Sequence, residues 1–120
     1  MAFPGTYNIN YYKGDTYEFN IYPKDSAGNQ FDLSNFAGSV TFTIATKRGP
    51  LLETDPTPIS ARAIVNGTHI ECAIRPEDSI DMVAGTPYVY DVQISHSEQP
   101  YNKVYTVLNG SITVTDQVSQ

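Results

Sequence analysis

Residues 39–46, SVTFTIAT, put Val40, Phe42 and Ile44 on one side of an extended chain and Ser39, Thr41 and Thr43 on the other. Alternation with a period of two buries one face of a strand and wets the other, whereas a helix would scatter the same side chains around its axis. The pattern recurs along the chain. In residues 16–22, Tyr17, Phe19 and Ile21 alternate with Thr16, Glu18 and Asn20. Ile70, Cys72 and Ile74 share a phase, as do Tyr88, Tyr90, Val92 and Ile94 in residues 88–95, and Ile112 and Val114 near the end. A chain written this way folds by stacking the wet-and-dry faces of strands, and its core is expected to contain Phe19, Ile21, Phe42, Ile44, Ile70, Ile74, Val92, Ile94 and Val114.

Turn chemistry punctuates these runs. Residues 7–12 form a first candidate strand, ended by Lys13-Gly14-Asp15, and Pro23, which lacks a ladder donor, closes the second. Residues 24–30, KDSAGNQ, supply side chains that bond their own backbone or tolerate unusual dihedrals. Phe31-Asp32-Leu33 returns to the core, with Asn35-Phe36 beyond it. Residues 47–58, KRGPLLETDPTP, read as the longest loop. Asn66-Gly67 between runs at 59–65 and 68–74 predicts a tight hairpin, a reading that outweighs the glycosylation sequon Asn66-Gly67-Thr68. Residues 75–85, RPEDSIDMVAG, are the one helical candidate, of one or two turns, with Pro76 at a first helical position and Glu77 and Asp78 at the positive end. A polar turn at 96–102 leads to a strand at 103–108, a break or bulge at Asn109-Gly110, and a strand at 111–116. The expectation is an all-β, antiparallel immunoglobulin-like sandwich of about seven or eight strands with one short helical turn. It forms a single domain over 1–120, with 1–12 as an N-terminal arm or edge strand and 117–120 as a polar tail.

A hydrophobic content of 40% in 120 residues suffices for one core. Nine tyrosines, five phenylalanines and no tryptophan bias the aromatic residues toward a side chain with an apolar body and a polar tip, suited to half-wet strands and to interfaces. Seven Lys and Arg against thirteen Asp and Glu give a net charge of −6, and the cations are scattered, which argues against nucleic acid and against anionic membranes. No stretch has the apolar length of a membrane span, and the first residues, MAFPGTYN, do not read as a signal peptide. The single cysteine, Cys72, makes no internal disulfide and reads as a buried, redox-silent core residue.

Candidate chemistry is sparse. His69 and His96 read as surface residues, His69 out of phase with Ile70. Asp25-Ser-Ala-Gly-Asn29 lacks the ligand alternation of a calcium loop, and helix-start electrostatics account for Glu77 and Asp78 better than acid–base work does. No catalytic, metal-binding or cofactor-binding residue is assigned. Docking is assigned instead to Phe3, Tyr7, Tyr11 and Tyr12 in an N-terminal segment aromatic on both faces, and to Leu51 and Leu52 in the proline-rich loop.

A family resemblance covers nearly the whole chain. Gly14-Asp15-Thr16 opens a strand; Asp25 and Gly28 frame a turn; Asp32-Leu33 follows; then come Ala84-Gly85, Tyr88, Tyr90 and Asp91, and finally Leu108, Gly110 and Val114. These features resemble the small immunoglobulin-like domains of tailed-bacteriophage virion proteins, including those that begin baseplate upper proteins, and residues 3–15 are similar to small structural proteins of phages that infect cyanobacteria. Residues 85–90 also resemble the tyrosine corner of immunoglobulin-type sandwiches, with Tyr90 where a disulfide cysteine would sit. The resemblance departs at the proline-rich 47–58 loop and in the lack of a fibre or receptor-binding region after Asp116. It implies a non-enzymatic virion protein made in the host cytoplasm, a capsid decoration protein ahead of a tail, neck or baseplate component. Its partners would be the major capsid protein or tail and baseplate proteins, together with further copies of itself. A carbohydrate- or receptor-binding module is the reading from another class, against which stands the absence of tryptophan.

Overall fold

The strands of the computed structural model are β1 (Gly5–Thr6), β2 (Ile9–Tyr12), β3 (Tyr17–Ile21), β4 (Val40–Ala45), β5 (Ile59–Asn66), β6 (His69–Ile74), β7 (Pro87–His96) and β8 (Lys103–Thr115). The structure describes residues 5–25, 27–36, 39–49, 52–54, 56–97 and 102–116. The strands form one mixed sheet in the order β1-β8-β7-β4-β5-β6-β3, with β2 also beside β8. The sheet curls because β5 changes partners along its length. Ile59 and Ala61 pair with Ile44 and Phe42 of β4, and from Arg62 onward β5 pairs with β6. The two halves face each other across a core that includes Ile9, Tyr11, Phe42, Ile44, Tyr90, Val92, Ile112 and Val114 from one side and Ile21, Ile70, Cys72 and Ile74 from the other.

The expected core is buried, with Phe19 half-buried at its margin. Ring contacts cross the interior there. Phe19 of β3 lies 5.6 Å from Phe42 of β4, edge to face, and Phe42 lies 5.4 Å from Tyr90 of β7. A second aromatic group covers one end. Phe31 and Phe36 stand 5.7 Å apart, and each is 6.0 Å from Tyr105. Leu33 is buried beside them, as its return to the core predicts.

The sheet is not antiparallel throughout, which corrects the sequence expectation. β1 and β2 run parallel to β8, Gly5 opposite Leu108 and Ile9 through Tyr12 opposite Ile112 through Thr115. Period-two alternation selects a face and carries no information about the direction of the neighbouring strand. The first candidate strand also starts later than expected, at Ile9, with the short β1 before it and Tyr7 and Asn8 between the two. There the Asn8 side-chain oxygen accepts hydrogen bonds from the Ser111 N–H at 3.1 Å and hydroxyl at 3.2 Å, replacing part of the backbone ladder. Past β2 the chain crosses to the opposite half through residues 13–16, and β3 pairs antiparallel with β6.

Three further local expectations shift. The hairpin turns at Gly67-Thr68 instead of Asn66-Gly67, since Asn66 still pairs with His69. Gly67 has φ 64° and no non-glycine residue among those described has positive φ, so one left-handed residue suffices, as in a type II′ turn. The helical candidate shrinks to a 3-10 turn at Pro76–Ser79. Asp78 fixes its start by accepting the Arg75 N–H at 2.8 Å and the Arg75 guanidinium at 2.9 and 3.0 Å. Finally, β8 runs unbroken through Asn109-Gly110. The irregularity lies earlier, where Val92 faces Leu108 but Gln93 faces Thr106, leaving Val107 as the bulged residue. The bulge flips the phase of the strand: Val107 itself faces inward, and beyond it Gly110, Ile112 and Val114 do.

Candidate docking surfaces

The residues assigned to docking separate into different roles. Phe3 and Leu51 lie outside the described residues. Tyr11 is corrected to a core residue, 1% exposed, with its hydroxyl donating to the Asp15 carbonyl at 2.7 Å. It shares with Ile9 the inward face of β2, and the outward face carries Tyr12, which is 54% exposed. Tyr7 is partly exposed but committed to internal contacts. Its ring lies 5.8 Å from Phe19, its hydroxyl pairs with that of Tyr17, and its carbonyl accepts the Tyr90 hydroxyl at 2.5 Å. Tyr7 therefore joins the two ends of the curled sheet, β1 and β3. The hydroxyl of Tyr17 is pushed up to about 12, by burial first and then by its bond to Tyr7.

The 47–58 loop is anchored at its start. Arg48 donates to the Gly110 carbonyl at 3.0 Å and the Tyr90 carbonyl at 3.3 Å, which fastens the loop across β7 and β8. Leu52 is 67% exposed. Beyond it, Pro56, Pro58 and Ile59 form one wall of a groove of about 580 Å³, with Val83 and Tyr88 on its apolar surface and Glu77, Asp78 and Asp81 among its lining residues. Sequence reasoning missed this groove because segments about twenty residues apart build it. A signal was present in residues 80–83. Ile80 and Val83 are exposed while Met82 is buried, and one face of a short turn cannot hold all three.

The two histidines and the cysteine sit in structural settings. His69 is half-buried, against expectation, because Glu71 meets its Nε2 at 3.2 Å and the Tyr22 ring lies 5.3 Å away. His96 lies at the end of β7 with its ring 5.9 Å from Phe36. Cys72 is a buried free thiol whose pKa burial raises to about 12. The turn reading of residues 24–30 holds, with Asp25 Oδ1 accepting from the Ala27 N–H at 2.9 Å and the Asn29 N–H at 3.0 Å. Among the described residues, no group of three or more His, Cys, Asp or Glu could hold a metal ion, and no helix is long and apolar enough to cross a membrane. The arrangement can present apolar side chains on a stiff β framework. No family model matches the chain, and no curated protein matches its sequence.

Proposed function

We propose that this chain is a non-enzymatic structural domain of a tailed-bacteriophage particle, one that works by docking on other particle proteins. The observation that carries the docking reading is the amount of apolar surface a small domain leaves uncovered. Tyr12, Tyr22, Leu52, Ile80, Val83 and Val104 are each more than half exposed. Such side chains are ordinary where they are scattered singly. They mark a place for a partner where they gather, as Ile80 and Val83 do three residues apart at the groove that Val83 lines. The virion assignment rests on the family resemblance of the sequence, and within it a capsid decoration role stands ahead of a tail, neck or baseplate position.

An immunoglobulin-like sandwich is the finer fold reading. It is supported by Tyr88, near the start of β7, whose hydroxyl accepts the Val83 N–H at 2.8 Å in the manner of a tyrosine corner. Phe19, Phe42 and Tyr90 then occupy the central contact that such sandwiches give to a tryptophan and an inter-sheet disulfide. A chain without a second cysteine can pin its sheets together with rings in place of sulfur.

Mass spectrometry of purified particles from the genome that encodes the chain tests the virion assignment, and cryo-electron microscopy separates capsid from tail positions. Absence of the chain from those particles overturns the reading. Saturable binding of the isolated domain on a glycan array would favour the carbohydrate module instead.

A further inference from the structure

The groove between residues 56–59 and the Pro76–Ser79 turn differs from the other exposed apolar positions in having both a shape and a charge. Its volume, about 580 Å³, falls in the range of ligand clefts. Pro56 and Pro58 stiffen one wall, so a segment bound there orders little additional backbone. Val83, 60% exposed, extends the apolar surface toward solvent, and Ile80, 70% exposed, lies three residues before it. Glu77, Asp78 and Asp81 line the same groove. Arg75 is committed to this cluster, 2.9 Å from Asp78 and 3.9 Å from Glu77. Asp78 is buried in that pair, whereas the side chain of Glu77 is 66% exposed and Asp81 is exposed. One cation among three carboxylates leaves the groove negative.

We propose that this groove takes an extended segment of a partner protein, with an apolar side chain against Pro58, Ile59, Val83 and Tyr88 and a lysine or arginine beside Glu77 and Asp81. A second copy of this chain is disfavoured as occupant because it carries a net charge of −6 itself. The apolar contact supplies most of the affinity. The exposed carboxylates select the partner and speed its approach, since solvated ion pairs contribute little each and are screened by salt. The proposal rests on the docking reading and names the chemistry of the partner.

The test uses the full chain, labelled with ¹⁵N, and two capped hexapeptides, one alternating leucine with lysine and the other leucine with glutamate. The lysine peptide is expected to shift the amides of Ile59, Val83, Thr86 and Tyr88 saturably, and the glutamate peptide to leave them unmoved. Glu77→Gln with Asp81→Asn should weaken binding about fivefold, as should about 0.5 M salt. Val83→Asp should abolish the response while the rest of the spectrum stays in place. Shifts elsewhere, equal shifts with both peptides, or binding indifferent to the two carboxylates would overturn the proposal. So would concentration-dependent shifts of the same amides without peptide, which would identify a second copy as the occupant. Presence on particles without peptide binding removes the groove alone, and peptide binding without presence on particles removes the virion assignment alone.

Discussion

The backbone of Tyr7 rests on Gly110 so closely that a β-carbon at position 110 would stand 2.1 Å from the Tyr7 carbonyl oxygen. The contact explains a glycine in the middle of a thirteen-residue strand. It also explains why the first strand parts between β1 and β2, since the Tyr7 carbonyl turns to the Tyr90 hydroxyl.

Gly110→Ala is therefore expected to destabilise the fold by about 2–3 kcal/mol, because the obstructing atom is backbone and cannot rotate away. Urea denaturation gives the magnitude. Hydrogen exchange should locate the damage at the Tyr7 N–H, which donates to the Asn109 carbonyl at 2.9 Å. Equal stability of the variant would show that β1 and β2 are not held as described.

Tyr90→Phe keeps the ring against Phe42 and deletes the hydroxyl on Tyr7, so a loss of about 1–2 kcal/mol is expected. Phe42→Ala, which empties a site 1% exposed, should cost about 3–5 kcal/mol. Comparing the two midpoints in one denaturant separates the polar contribution of the seam from the apolar contribution of the ring cluster.

At the hairpin, a β-carbon on Gly67 would meet nothing within 4 Å, yet its φ is +64°. The penalty for Gly67→Ala is then purely conformational, about 1 kcal/mol, and Gly67→Asn should recover part of it. A loss of several kcal/mol by calorimetry would mean that the turn packs against something.

Stability should fall in alkali. Burial lifts the Cys72 thiol from 9.0 to about 12, and burial with the Tyr7 bond lifts Tyr17 from 10.0 to about 12. Acids whose folded pKa exceeds the unfolded one stabilise fully below the unfolded value and lose that contribution as pH rises through the folded one. The urea midpoint should decline between about pH 9 and 12, with slow thiol labelling below that window. On the acid side, the Ser34 N–H holds Asp32 below 3.8, and Asn66 then His69 hold Glu71 below 4.5. Their contributions are present above those values and fade as pH falls. A midpoint unchanged from pH 8 to 12 would contradict the alkaline part.

The strands were legible because their alternation is local. Phe42, Ile44, Ile70, Val92 and Ile94 each face the side their phase assigns, and all are buried. What escaped the sequence depends on distant partners. Aromatic residues on both faces of β2 left open whether Tyr11 or Tyr12 turned inward, and only the position of β8 beside β2 decided for Tyr11. The break expected at Asn109-Gly110 is absent: the glycine serves a close approach by Tyr7, and the bulge falls at Val107. Of the docking residues, Tyr7, Tyr12 and Leu52 are exposed. The groove had no local signature because its walls meet only in the folded chain.

The parallel pairing of β2 with β8 has a mechanical consequence. Tension applied in opposite directions before Gly5 and after Thr115 would slide these strands past each other along their length. The backbone bonds joining Ile9–Tyr12 to Ile112–Thr115 would share that load in shear and rupture together instead of unzipping in sequence. A domain tied this way withstands pulling along its ends better than prying apart sideways.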